Sequence, residues 1–271
     1  MTTPADKRAR FRELHRSGCF VIPNPWDVGS ARMLQTLGFQ ALASTSSGMA
    51  WSSGRLDNEV PLEDALAHLA TLSAATDLPL NADFENGYAD TPEEVAANVR
   101  RALNTGVAGL SIEDMSHDPG KPLYDEGLAV ERVKAARAAI DAEGSGAVLV
   151  ARAEGLLVGA MDVGATLDRL ASLADAGADC LYAPGLRTPE HIAAAVRAVA
   201  PKPLNVLMWT GGPTVAELAD LGVRRISLGG ALARAAFGEF IRTAREIAEG
   251  GRFDRLSQAA TGAEMAALLK P

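Results

Sequence analysis

The acidic residues of this chain recur at spacings that suit metal chemistry. Asp83 and Glu85 stand two positions apart at the end of an apolar run, so on an extended strand both side chains point the same way. Glu113 follows 30 residues after Asp83, at the end of the next such run, and Asp57 closes Gly54-Arg55-Leu56-Asp57 upstream. Three or four carboxylates brought together would repel one another unless a cation neutralised them. Oxygen ligands with no His or Cys pair nearby favour a hard ion, Mg²⁺ or Mn²⁺. The plainer expectation for one or two of these acids is a salt bridge at the rim of the fold, with Arg152 as partner.

Other mechanisms are tested by counting. A Schiff-base enzyme needs a lysine in its site, and the lysines are Lys7, Lys121, Lys134, Lys202 and Lys270. Lys202 precedes an expected strand, at the end away from the acids. His15, His68, His117 and His191 show no pair at metal-ligand spacing, which argues against a zinc hydrolase. Ser227-Leu228-Gly229-Gly230 suits either a phosphate cradle at a helix start or close packing of a strand on a helix. Cys19 and Cys180 lie in apolar runs and read as small core residues.

The elements that must position these groups follow a simple alternation. Short apolar runs at 19–22, 41–44, 79–84, 109–113, 147–151, 180–183, 204–207 and 225–228 read as strands buried on both faces. Between them, segments such as 93–103, 130–140, 166–176 and 189–199 have helical spacing. Thr91-Pro92 and Thr188-Pro189 mark helix starts, with Glu94 completing a capping box, and Gly106, Gly177 and Gly222 mark helix ends. Eight such units predict a (β/α)8 barrel, one domain over residues 1–271, with the acids at the carboxyl ends of strands two to five. A doubly wound sheet would more often carry a Gly-x-Gly-x-x-Gly turn after its first strand, where Pro23-Asn24-Pro25-Trp26 stands. The connection 45–61 is long and rich in Ser and Gly, and a last helical stretch, 253–269, follows the eighth unit.

Composition excludes several roles. With 26 basic and 34 acidic residues the net charge is −8, which disfavours binding to nucleic acid or anionic membranes. The charged segment 1–18 does not resemble a secretory signal, and no apolar run is long enough to span a bilayer. Two cysteines are too few for a disulfide framework, so a reducing cytoplasm is the expected compartment.

Taken together, Asp83-Phe84-Glu85-Asn86-Gly87-Tyr88, Ser111-Ile112-Glu113-Asp114 and Ala151-Arg152-Ala153-Glu154 resemble the motifs of the isocitrate lyase/phosphoenolpyruvate mutase superfamily. There the usual forms are Asp-x-Asp-x-Gly-Tyr, Ile-Glu-Asp and Ala-Arg-Thr-Asp. The resemblance implies a (β/α)8 barrel whose last helix is swapped between neighbours, in a homo-oligomer that is a dimer or a tetramer. It also implies Mg²⁺ holding a 2-oxo or 2-hydroxy acid, with Asp83 as direct ligand and Asp57, Glu85 and Glu113 on the ion's waters. Arg152 would then contact the reacting oxygens, and Thr45, Ser46 and Ser47 would bind the substrate carboxylate.

The sequence departs from the superfamily's lyases at three places. Their Lys-Lys/Arg-Cys-Gly-His loop, whose Cys donates a proton, is replaced by residues 115–124, which hold no Cys. Glu85 stands for an Asp, and Pro184-Gly185-Leu186 for a Pro-Glu-Ala. His117 or Tyr124 is the candidate substitute acid, on a loop long enough to close as a lid. The expected activity is carbon–carbon lysis or decarboxylation of a small 2-oxo or 2-hydroxy acid through a metal-stabilised enolate. Carbon–phosphorus chemistry, as of a phosphonopyruvate hydrolase or phosphoenolpyruvate mutase, is the alternative, and a catalytically silent barrel that binds a dicarboxylate is another.

Overall fold

The computed structural model describes residues 2–270. Its elements run α1 (Pro4–Leu14), β1 (Phe20–Ile22), α2 (Val28–Thr36), β2 (Leu42–Ala43), α3 (Ser46–Ser52), α4 (Leu62–Ala75), β3 (Leu80–Asp83), α5 (Pro92–Leu103), β4 (Gly109–Glu113), α6 (Glu126–Ala142), β5 (Val148–Arg152), α7 (Val163–Asp175), β6 (Cys180–Tyr182), α8 (Pro189–Val199), β7 (Leu204–Leu207), α9 (Val215–Asp220), β8 (Arg225–Ser227), α10 (Ala231–Gly250), a 3-10 helix (Asp254–Gln258) and α11 (Gly262–Leu269). All eight strands are parallel, in the order β1-β8-β7-β6-β5-β4-β3-β2. The Ala43 amide donates to the Pro23 carbonyl at 3.0 Å, closing the sheet between β2 and β1 into the expected (β/α)8 barrel.

Local chemistry sets the helix ends. Thr91 and Thr188 cap α5 and α8, each with Pro in the first turn. Glu94 differs from expectation, because its carboxylate takes the Thr91 hydroxyl at 2.9 Å rather than the Thr91 amide, so the box is half formed. At the end of α7, Gly177 has φ +107, a left-handed conformation in which a side chain would be strained.

Strand alternation divides the apolar residues between two cores. Phe20, Ile22, Ala41, Ala43, Val148, Val150 and Cys180 fill the barrel interior with Phe11, which α1 inserts from below. A larger cluster of Leu, Ala, Val and Ile lies between strands and helices. Gly109 makes room for the plug, since a Cβ there would lie 2.7 Å from the Val148 carbonyl and 2.8 Å from Phe11.

Two regions depart from the sequence reading. The Ser-rich connection contains α3, capped by the Thr45 hydroxyl. The stretch 253–269 is not one helix; it breaks into the 3-10 turn and α11, which Thr261 and Glu264 cap afresh and which lies against α2. The longest helix, α10, has Ala233 as its only buried residue and leaves Phe240 69% exposed.

Candidate functional site

Arg152, the last residue of β5, is the centre of the site. Its Nη1 donates to Asp83 Oδ1 at 2.7 Å, its Nη2 lies 2.9 Å from Glu113 Oε2, and its Nε donates to Glu154 Oε1 at 2.8 Å. Register explains the meeting, since Glu113 is directly opposite Arg152 across β4 and β5. Asp114 holds these strand ends together: its Oδ1 accepts from the Glu154 amide at 2.8 Å and its Oδ2 from Arg169 at 3.3 Å.

Asp83 has a second set of partners. Its Oδ2 accepts from the Ser46 amide at 3.0 Å and from the Ser46 hydroxyl at 3.1 Å, which docks the start of α3 on β3. Beside them is a cavity of about 140 Å³ whose wall includes Thr45, Ser46, Ser47, Asp57, Asp83 and Arg152. Gly230 faces Ser47 there so closely that a Cβ would sit 2.7 Å from the Ser47 hydroxyl. That contact accounts for Gly230 by packing, while Gly229 has φ +53, in the left-handed region.

The acids crowd one another. Burial, together with Asp83, pushes Asp57 above the usual carboxylate range. Glu85 is pushed up to about 7 by burial, with Asp83 and Glu113 adding to the shift, while the Tyr88 hydroxyl donates to its Oε1 at 3.1 Å. Burial acts on Glu113 too, yet the Arg152 guanidinium and the His117 bond hold it below the usual range. Glu154 goes the other way, because it is fully buried and its Oε2 has no partner. His117 Nε2 lies 3.4 Å from Glu113 Oε1, and that hydrogen bond raises the imidazole above its ordinary value.

Backbone strain gathers at the same place. Among the described residues, the non-glycine positions with left-handed φ are Asn58, Glu85, Tyr88 and His117, each one of these acids, its neighbour or its partner. The 115–124 loop is pinned at its base by an antiparallel bridge between Met115 and Leu123. Tyr124 is turned elsewhere: its hydroxyl is shared by Asp90 and Asn86, and the Arg132 guanidinium lies 4.0 Å above its ring. Neither cysteine takes the missing thiol's place. Cys180 is buried inside the barrel, where burial pushes its thiol up to about 11.

Five carboxylates around one guanidinium and one imidazole form an oxygen-donor set with excess negative charge, which fits a hard divalent cation. Among the described residues no three His, Cys, Asp or Glu groups stand close enough to hold an ion directly. An ion bound to one carboxylate, with other acids on its waters, does not require that. The sequence motifs contain Glu154 and Asp114 but gave them no role, and they did not point to the deeper cavity wall; the signal for Glu154 was its place two residues beyond Arg152 on the same strand line.

The fold and the site define a (β/α)8 barrel with an acid-rich pocket at the carboxyl ends of β2 to β5. The family model described as phosphoenolpyruvate phosphomutase matches residues 11–248, and the chain belongs to that family, within the isocitrate lyase/phosphoenolpyruvate mutase superfamily. A solved lyase/mutase candidate from Burkholderia cenocepacia J2315 is 45% identical with a TM-score of 0.93, over 97% of this chain and 95% of that one. Oxaloacetate decarboxylase of Chromohalobacter salexigens is 30% identical over 267 residues, 92% of this chain and 89% of the relative. The structure of 2,3-dimethylmalate lyase is 28% identical with a TM-score of 0.85, over 99% of this chain and 95% of that one. Carbon–carbon lyases are thus among the relatives. No helix among the described residues is long and apolar enough to cross a membrane.

Proposed function

We propose that the chain is a divalent-metal-dependent carbon–carbon lyase or decarboxylase acting on a small 2-oxo or 2-hydroxy carboxylic acid. One observation carries this reading: Asp83, Glu113 and Glu154 converge on Arg152 at the edge of a cavity that Asp57 also lines. Mg²⁺ or Mn²⁺ would be held by Asp83, with Asp57, Glu85 and Glu113 on its waters, and would supply Lewis-acid stabilisation to the oxygen where enolate charge develops.

The chain's own groups do the remainder. Thr45 and Ser47 would offer hydroxyls to the substrate carboxylate at the cavity wall, while Ser46, whose amide and hydroxyl donate to Asp83, would hold that acid in place. Arg152, fixed by three carboxylates, presents a planar cation to the reacting oxygens without reorganising. His117, whose proton Glu113 helps to retain, would return a proton to the departing carbanion. Tyr124, occupied with Asp90 and Asn86, supports the loop instead.

The test is a turnover screen with Mg²⁺ against oxaloacetate, substituted malates, methylisocitrate and phosphonopyruvate. Turnover of a 2-oxo or 2-hydroxy acid that stops after exhaustive EDTA treatment and returns with metal is the expected result. Methylisocitrate should be cleaved on the order of 100-fold more slowly than the best substrate, because residues 115–124 lack the Cys that protonates the carbanion in the superfamily's lyases. Activity that survives EDTA refutes the metal, and turnover confined to phosphonopyruvate assigns the chain to carbon–phosphorus chemistry.

A further inference from the structure

Arg225, the first residue of β8, is a second arginine on the wall of the same cavity, and it is treated in the opposite way. Alternation along β8 places it on the same face as Ser227, another wall residue, and it is only 3% exposed. Arg152 has three carboxylates; Arg225 has none at ion-pair distance among the described residues. Its one polar contact is long, Nη1 to Asn81 Oδ1 at 3.4 Å, and its Nε is buried without a partner. Across the β7–β8 ladder its direct neighbour is Asn205, whose Oδ1 is also unpartnered while its Nδ2 donates to the Ser227 hydroxyl at 3.0 Å. The Phe11 ring closes the cation off from below, 5.8 Å from the guanidinium carbon.

A buried cation without a counter-charge is destabilising, and an apolar side chain of similar length would fill the space at less cost. The polar groups nearest the guanidinium, Asn81, Asn205 and Ser227, are neutral, and Asp83, the carboxylate that acts on it from further off, is already paired with Arg152. Such a setting is complete only when an anion brings the missing charge. Arg225 shares the wall of one cavity with Asp57, Asp83 and Arg152, and that cavity is the route open to an anion.

We propose that Arg225 is the floor of a second anion subsite, which takes the distal carboxylate of the substrate and so selects a short 2-oxo or 2-hydroxy diacid over the corresponding monoacid. This inference rests on the reading of the upper site as the place of the reacting carboxylate. The guanidinium is fixed from below and has an unused donor, so it meets a carboxylate with little reorganisation. A monoacid of the same length would leave it buried and unpaired.

The experiment uses the full chain with Mg²⁺ and compares malate with 2-hydroxybutyrate, which differs in carrying a methyl group in place of the distal carboxylate. Binding is read by calorimetry, and folding by the thermal midpoint. Malate is expected to bind on the order of 100-fold more tightly, as for one desolvated charge pair. In Arg225→Met that gap should close through loss of malate affinity, with 2-hydroxybutyrate binding unchanged and the thermal midpoint equal or higher. Persistence of the malate preference in Arg225→Met overturns the proposal. An Arg225→Met protein that fails to fold also overturns it, because the guanidinium would then be satisfied within the chain. Asp83→Ala separates the two readings. If it abolishes binding of both acids while Arg225→Met leaves the preference intact, the upper site stands and the lower one falls; if the wild type binds neither acid, both fall.

Discussion

Replacing Asp83 by Asn tests the electrostatic design of the site without metal or substrate. The substitution keeps the shape and leaves an oxygen to accept from the Ser46 amide, but removes the charge 2.7 Å from Arg152. Arg152 retains Glu113 and Glu154, so the loss is one charged hydrogen bond, about 1–2 kcal/mol. For a chain of this length that is roughly 2–8 °C in thermal midpoint. Against it stands the relief of Glu85, whose carboxyl titrates near 7 instead of 4.5 because of burial and then Asp83 and Glu113. A raised carboxylate pKa means the folded state holds its proton longer, so stability falls as pH rises from 4.5 towards 7, by about 3 kcal/mol in all. Part of that cost disappears with Asp83. The midpoint of Asp83→Asn in EDTA should therefore lie below wild type at pH 5, where Glu85 is protonated, and below it by less at pH 8. Turnover with metal should fall on the order of 1000-fold at either pH. Scanning calorimetry at the two pH values decides the stability part: an equal or larger deficit at pH 8 would show that these acids do not repel one another. Undiminished turnover would remove Asp83 from the chemistry.

His117→Ala should lower kcat with little change in substrate affinity, and the wild-type rate should fall as pH rises through an imidazole pKa that Glu113 holds above 6.5. Glu113→Gln should shift that limb to lower pH, and a pH profile indifferent to His117 would remove it as the acid. In assembly, Phe240, Ile241 and Ile247 on α10 and Leu256 beyond it are exposed apolar groups that a neighbouring copy should cover, giving a dimer or tetramer. Light scattering tests this, with Phe240→Glu expected to yield smaller species; a monomeric wild type at micromolar concentration would refute it.

The sequence by itself determined what neighbours along the chain decide. Eight apolar runs, the Thr-Pro helix starts and the glycine exits specify a strand–helix repeat, because periodicity and caps act within a few residues. They also place Asp83, Glu113 and Arg152 at strand ends. Even here local signals had limits: the Ser-rich connection hid α3, and the apolar positions of 253–269 did not show the break before Thr261. Register decided the rest. Whether Arg152 meets Glu113 depends on which residues of β4 and β5 stand opposite, and Glu154 joins them only because Asp114 ties the two strand ends. Tyr124 is near Glu113 in sequence, yet the fold gives its hydroxyl to Asp90 and Asn86. Arg225 shows the division most plainly. In the sequence it is one of two adjacent arginines, Arg224 and Arg225, at the edge of an apolar run, and nothing local distinguishes them. Barrel closure turns Arg225 inward to the cavity floor while Arg224 caps the Gly18 carbonyl at the exposed lower rim. Which of two like charges enters the interior is settled by strand alternation and by the elements on either side, a property of the closed sheet and not of the chain.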